Sequence, residues 1–586
     1  MSSAQERIDN SNKLINDRYE WDAIWSACAR LVLPMQDREF RRGSNLNSRS
    51  AIEGWAAGPT SVDRLSERFD ITALIAVDRL ATGLLSLVTP DNEKWMNLGM
   101  STPLGPVEPN DEEKRWLEKQ RDYLFGVRYS PEVGWQNTNG FAFRGVCTFG
   151  TSIFFLEESY GVHGKNDVQV PFTYQPMPLS ENYLTADAQG NVDGDHRRFR
   201  MSARQAAQMF GTQLSAKVQA MASDPKRQHD QVEFLHVIEY RQEAGPAGYA
   251  MRNSKVSSCY IEVETKHYVR HGGFNYFPIM TYHWNKVPFS PYGESPVFLV
   301  LAEIKGSNVL AKNALLSAQQ LTRPPVATAF DGDGPKPNMN PAAINYGMLD
   351  ARGELKVKPI ITAQNPSLVQ EVLNASRDQI KEGLYTNLWQ VLLQNPQMTA
   401  TEALIRANEK GELLGPIGSK LQDGISRCTD AELTILEGKG AWRPGALLEP
   451  PASIAGRDVR PVYNSPLDRL RRSGELLGIQ RTIEMIKPIA EIDESILDTI
   501  DTEAIVELAQ EINGAPRKML RKPEEIAARR EQRAQAMQAA QAQQAAAAVG
   551  GVADATMKAV PAANMATDFM KQAGIDAGDL ANIGQQ

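Results

Sequence analysis

Tyr292-Gly293-Glu294-Ser295-Pro296-Val297-Phe298-Leu299-Val300-Leu301 is a tight turn running into a helix start. Ser295 supplies a side-chain oxygen for the free amides of a first helical turn, and Pro296 suits the first helical position because it has no N–H to leave unpaired. Downstream, Val297, Val300, Leu301, Ile304, Ala311, Leu315 and Ala318 recur at helical spacing and mark one apolar face. Arg323-Pro324-Pro325 stops the pattern, so the spacing predicts a rod of roughly 42 Å.

Outward from this helix the organisation repeats. Residues 324–366 begin with two prolines and hold short extended runs (Val326 to Phe330, Leu355 to Ile361), which predicts a small β-containing excursion. A second long helix is expected over 367–393, with Ser367 and Gln370 as its capping box and Val369, Val372, Leu373, Ile380, Leu384, Leu388 and Val391 on its apolar side. Gln394-Asn395-Pro396-Gln397-Met398 breaks it. A third helix then starts at Thr399, capped by Glu402, and runs to about Glu437 with kinks expected at Gly411, Gly415-Pro416 and Gly418. Residues 440–465 read as loop, and 465–520 as helical again. Residues 534–549 hold nine Ala and five Gln, a composition of high helix propensity with no apolar stripe.

Upstream, helices are expected over 6–33 (ended by Pro34), 63–88, 109–130 and 136–147. From about 150 to 285 the chain turns strand-like at 151–157, 168–174, 234–240, 258–268 and 277–284. One helix, 202–210, interrupts them, with Ser202 and Gln205 as a capping box. The fold class expected is α+β, mainly helical.

The chain has 586 residues, 63 basic and 71 acidic, for a net charge of −8. That argues against a protein that coats nucleic acid. Cys28, Cys147, Cys259 and Cys428 lie far apart, so neither a disulfide framework nor a zinc ribbon is indicated. The N-terminal residues carry no apolar h-region and no run approaches the length of a membrane span, so a soluble protein made inside the cell, with no membrane partner, is expected.

Catalytic signatures are absent. Gly161-Val162-His163-Gly164-Lys165 has the wrong glycine spacing for a phosphate loop and is followed by Asn166. His267 and His271 sit in strand-like sequence, where their spacing does not converge on a metal, and no nucleophile elbow is present. No enzyme, metal or cofactor is expected. Two long amphipathic helices joined through an insert either bury their surplus apolar face against copies of the same chain or close into one intramolecular bundle; periodicity leaves both open.

The order of motifs resembles that of portal proteins, or head-to-tail connectors, of short-tailed, T7-like bacteriophages. The resemblance is carried by the Tyr292–Pro296 turn before Glu303-Ile304-Lys305, and by Met398-Thr399-Ala400-Thr401-Glu402-Ala403 with Arg406, Glu409 and Leu414-Gly415-Pro416. It continues in Tyr463-Asn464-Ser465-Pro466-Leu467, in Gly514-Ala515-Pro516 leading to Glu524-Glu525 and Arg529, and in Met201-Ser202-Ala203-Arg204-Gln205 closing with Phe210-Gly211.

The resemblance implies a ring of about twelve copies at one capsid vertex, part of the virion and assembled in the host cytoplasm. Residues 1–285 would be the wing, 286–323 and 367–393 the two stem helices, and 324–366 the clip. Residues 394–398 would be a channel loop, 399–464 a helix returning to the wing, 465–533 the crown, and 534–586 a C-terminal helical barrel and mobile tail. It further implies that double-stranded DNA passes through the ring during packaging and ejection. The terminase large subunit docks at the clip, tail adaptor or nozzle proteins replace it, and major capsid and scaffolding proteins grip the wing. Gln394, Asn395, Gln397 and Met398 are then candidates for the channel loop, whose uncharged groups suit weak contact with a passing backbone, although the same residues also suit an ordinary turn between helices. Lys305 and Lys312, seven apart on one helix face, either ring the channel or pair with acids of a neighbour. Arg517, Lys518, Arg521, Lys522, Arg529, Arg530 and Arg533 form the strongest basic cluster and either face DNA at the crown or solvate a helix. Competing readings are an internal capsid or ejection protein without a channel and, more remotely, a packaging-associated nucleotide enzyme.

Overall fold

The structure, a computed structural model, describes residues 3–33, 68–102, 105–159, 170–241, 254–322, 326–328, 357–359, 366–387, 400–454, 458–490 and 523–550, together with 352, 354, 501, 504–506 and 508–509. Two units divide the chain at Gly514 and Ala515.

In the first unit, α1 (Ala4–Asp17) opens with a capping box between Ser3 and Glu6. The single helix expected over this segment is broken at Arg18, and α2 (Tyr19–Val32) follows. The break has a tertiary cause. Arg18 is buried and donates to the carbonyls of Leu179 (2.9 Å), Asn182 (2.6 Å) and Ser180 (3.1 Å), with its guanidinium 3.8 Å from the centre of the Tyr183 ring. Helix α3 (Thr72–Val88) begins later than its apolar pattern, because Asp70 takes up the Thr72 amide (3.1 Å) as a local stop.

Strand β1 (Met96–Thr102) pairs antiparallel with β2 (Gly105–Val107). Helices α4 (Asp111–Arg128) and α5 (Trp135–Phe149) match their expected positions within two residues. Gly150, at φ +78°, ends α5 where a Cβ would lie 2.2 Å from the Gly293 carbonyl oxygen. Only glycine fits both the left-handed backbone and that approach, which brings the Tyr292–Pro296 turn against the body. Strands β3 (Thr151–Glu158) and β4 (Phe172–Met177) begin a second sheet.

A five-stranded antiparallel meander follows: β5 (Asn182–Ala186), β6 (Val192–Ser202), β7 (Gln231–Tyr240), β8 (Val256–Glu262) and β9 (His267–Phe274). The one strand expected over 258–268 is two, because 263–266 turn and Lys266 adopts φ +54°. Helix α6 (Ala203–Phe210), carrying the Ser202/Gln205 capping box, and α7 (Ala216–Ser223) cover one sheet face through Phe199, Phe210, Val218 and Phe234. Helix α1 covers the other, with Ala4 and Ile8 on Leu235, Val237 and Ile261. Strand β10 (Ile279–His283) completes the second sheet in the order β10-β3-β4.

The hairpin β11 (Asn285–Lys286) and β12 (Gly293–Glu294) leads into α8 (Pro296–Leu299), capped by Ser295, and α9 (Leu301–Thr322). The long helix is thus interrupted at Val300. Strands β13 (Val326–Thr328) and β14 (Val357–Pro359) pair antiparallel. Helix α10 (Pro366–Gly383) starts one residue before its expected cap. Ser367 therefore lies inside the helix, and Gln370 donates to Asn374 (3.1 Å) instead of closing a capping box. The helix expected to run on to 393 is broken at Leu384 and Tyr385; residues 386 and 387 are helical again, and 388–393 lie outside the described residues. At the break Leu384 is fully buried and Tyr385, at φ +58°, sits 6.1 Å from Trp284, so packing breaks the helix where periodicity would continue it.

Helix α11 (Ala400–Gly438) runs for 39 residues through Pro416. Its glycines serve packing: a Cβ on Gly418 would lie 2.0 Å from Leu467, and on Gly424 2.5 Å from Tyr282. The expected loop at 440–465 contains β15 (Asp458–Tyr463), which pairs with β1. Helix α12 (Pro466–Ala490) is capped by Ser465 and Asp468, each accepting from the other's amide. A single large core joins α2, α3, α4, α5, α11 and the sheets around Trp25, Trp95, Trp135, Phe154, Tyr282 and Leu421. Inside it Arg128 pairs with Glu432, which also accepts from Tyr174, and Arg128 donates to Thr429 (3.0 Å) while lying between the Trp95 and Trp135 rings. Burial opposes the Arg128 charge, but Glu432 overrides that cost and holds the guanidinium strongly protonated.

The second unit holds α13 (Pro523–Gly550).

Candidate functional site

The helix pair α8–α9 and α10 leaves several large apolar side chains uncovered, among them Leu299, Val309, Leu315, Leu316 and Val372. Its inner seam is well packed. Val297, Val300 and Ile304 meet Ile380 and Leu384 in the core, and a Cβ on Gly383 would lie 2.4 Å from Val300. Ser376 donates to Glu303 across the seam (3.2 Å). The alignment of 300 with 383 and of 303 with 376 makes the two helices antiparallel.

Two polar anchors tie the pair to the body. Asn308 accepts from the amides of Phe69 (2.8 Å) and Asp70 (3.2 Å). Arg377 lies 3.3 Å from the Asp70 carboxylate. Burial pushes that carboxyl upward, yet the hydrogen bonds from Thr72 and the charge of Arg377 outweigh it and leave it below its ordinary range.

The outer sides are different. On α9, Lys305, Val309, Lys312 and Leu316 recur at i, i+4, i+7 and i+11 and all are exposed. Val309 retains 55% of its surface and Leu316 43%. The apolar face expected to include Leu315 does not: Leu315 is half exposed. On α10, Glu371, Ala375, Asp378 and Glu382 follow the same spacing and are exposed, with Val372 beside them. The pair therefore carries a basic–apolar stripe on one side and an acidic–apolar stripe on the other. The acidic stripe follows helical spacing in the sequence and is legible there.

Of the site residues expected from sequence, Lys305 and Lys312 share this stripe, and the Lys312 ammonium lies 5.7 Å from the Phe69 ring centre. Arg529, Arg530 and Arg533 are exposed on α13. Gln394, Asn395, Gln397 and Met398, and Arg517, Lys518, Arg521 and Lys522, lie outside the described residues. A hollow between Tyr123, Pro171, Leu436 and Leu448 offers little chemistry, since its Lys439 already pairs with Glu158 and donates to the Ser159 carbonyl. Among the described residues no helix is long and apolar enough to cross a membrane.

A relative described as "Probable portal protein", from Bordetella phage BPP-1, is 23% identical over 532 residues, covering 89% of each chain. The family described as "Bacteriophage head to tail connecting protein" matches residues 4–520. This chain belongs to that bacteriophage head-to-tail connecting protein family.

Proposed function

We propose that copies of this chain close into a ring at one vertex of a phage capsid, through which double-stranded DNA is packaged and later ejected. The family match over residues 4–520 supports the connector role. The observation that carries the ring is the helix pair with uncovered stripes on opposite sides, since two different surfaces on one chain are what a closed head-to-tail assembly requires. In this reading α8–α9 and α10 are the stem, the β13–β14 pair belongs to the clip, and residues 1–285 with α11 make the wing. Residues 394–398 form the channel loop, 465–533 the crown, and α13 from residue 534 onward the start of the barrel.

A net charge of −8 per copy gives the channel an acidic cast, which repels phosphate and avoids the counterion-releasing contacts that would hold DNA in place. The packaging motor docks at the clip and tail proteins replace it, while scaffold and capsid shell hold the wing. Images of the purified protein in negative stain, with its native mass, test the reading. Rings with a central hole wide enough for duplex are expected. Monodisperse monomers or filaments would favour an internal capsid or ejection protein instead.

A further inference from the structure

The ring reading leaves open how one copy grips the next, and the two stripes answer it. On α9, Lys305 and Lys312 are seven residues apart, about 10 Å along the helix, with Val309 between them. On α10, Glu371 and Asp378 are also seven apart, with Ala375 between them. Each stripe lies on the side of its helix opposite the inner seam. Among the described residues, Lys305, Lys312, Glu371 and Glu382 form no ion pair, and Asp378 is engaged only by its own-helix neighbour Lys381 at 2.8 Å.

Height along the pair decides the partners. Inside one chain Val300 faces Gly383 and Glu303 faces Ser376. Counting on along the antiparallel helices puts Lys305 level with residues 374–378, Val309 with 370–374 and Lys312 with 367–371. A rotation about an axis running along the helices leaves height unchanged. The same levels therefore meet when α9 of one copy approaches α10 of the next.

Resting on the ring reading above, we propose that neighbouring copies join α9 to α10, with Lys305 on Asp378, Lys312 on Glu371 and Val309 packed between the two pairs. The occupant of each stripe is a second copy of this chain. Opposite charge at matched spacing fixes the register, and like charge forbids α9-to-α9 or α10-to-α10 contact, which keeps the assembly head-to-tail. This assigns Lys305 and Lys312 to the contact between copies and away from the channel.

Charge reversal on the full-length protein tests it. Lys305→Glu with Lys312→Glu in one variant, and Glu371→Lys with Asp378→Lys in another, are each compared with wild type by native mass and negative stain, with circular dichroism melts to verify folding. Each reversed variant alone is expected to lose the ring and remain folded. Mixing the two restores opposite charge at every contact, and so does combining all four substitutions in one chain; both are expected to bring the ring back. Rings that survive either reversal overturn the contact and leave the ring reading standing, as do rings that neither mixing nor combination restores. If wild-type protein itself forms no ring, the ring reading falls and this contact with it. Intact rings of the lysine variant with altered DNA packaging would return the lysines to the channel.

Discussion

The body around Trp95 and Trp135 and the α9–α10 pair are both helical, both well packed at one surface, and differ in what happens at the other. In the body, α5 buries ten of its fifteen residues, and a charge as awkward as Arg128 is enclosed with Glu432 and Thr429. In the pair, one side of each helix is buried and the opposite side carries apolar groups in the open. A region that hides its apolar side chains is complete as a single chain. A region that hides one side is complete only with something else against it. The contrast predicts where substitutions cost folding and where they cost assembly.

The largest effect is expected in the body. Glu432→Ala leaves Arg128 buried beside two tryptophans without its counter-charge, and a loss of about 3–5 kcal/mol is expected in chemical denaturation. A loss under about 1 kcal/mol would mean that the body tolerates open charge as the helix pair does. Next, Gly383→Ala puts a Cβ 2.4 Å from Val300 at the inner seam of the pair. A cost of about 1–3 kcal/mol is expected, because two helices must part to admit it.

Asp195 provides a pH test within the body. It is fully buried on β6 with no hydrogen bond to its carboxylate, and burial pushes its pKa up to about 8, with Arg197 and Arg18 opposing. Below about pH 4 the carboxyl is protonated folded and unfolded alike, and the penalty is absent. Above that the unfolded chain ionises while the folded one does not, so stability falls as pH rises toward 8, by at most about 1.4 kcal/mol per unit. Asp195→Asn should flatten that slope in denaturant midpoints taken at pH 5 and pH 8. A slope equal to wild type would remove Asp195 as its cause.

The outer stripe should behave in the opposite way. Leu316→Asp, at a half-exposed position, is expected to change stability by less than about 0.5 kcal/mol while abolishing rings by native mass. A destabilised monomer would place Leu316 in a core. The smallest effect on the fold is expected from Gln394→Glu with Gln397→Glu: melting and ring formation unchanged, with the length or yield of packaged DNA altered. Unchanged packaging would remove residues 394–398 from the channel.

Much of the local order was legible before any coordinates. Ser295 and Pro296 announced the start of α8, Ser202 and Gln205 that of α6, and the helices expected over 109–130 and 136–147 are α4 and α5. Each signal sits within a few residues of what it controls. The misses were made at long range. Strand β15 was read as loop because its alternation is weak, and it becomes a strand through β1, more than three hundred residues earlier. Arg18 broke a helix for the sake of carbonyls on a distant turn, and α10 stopped where Leu384 and Tyr385 found places in the body. The site was half legible: Lys305 and Lys312 stood out as a pair, but which residues of α10 share their height is set by the seam alone.

Capping, periodicity and the order of motifs belong to neighbouring residues, so the linear chain was enough to place the helices, exclude the familiar catalytic motifs and point to the connector family. Which face of each helix is covered is a property of distant segments that meet only on folding. That is why the body's closed core, and the exposure and shared height of the α9 and α10 stripes, became visible in three dimensions alone.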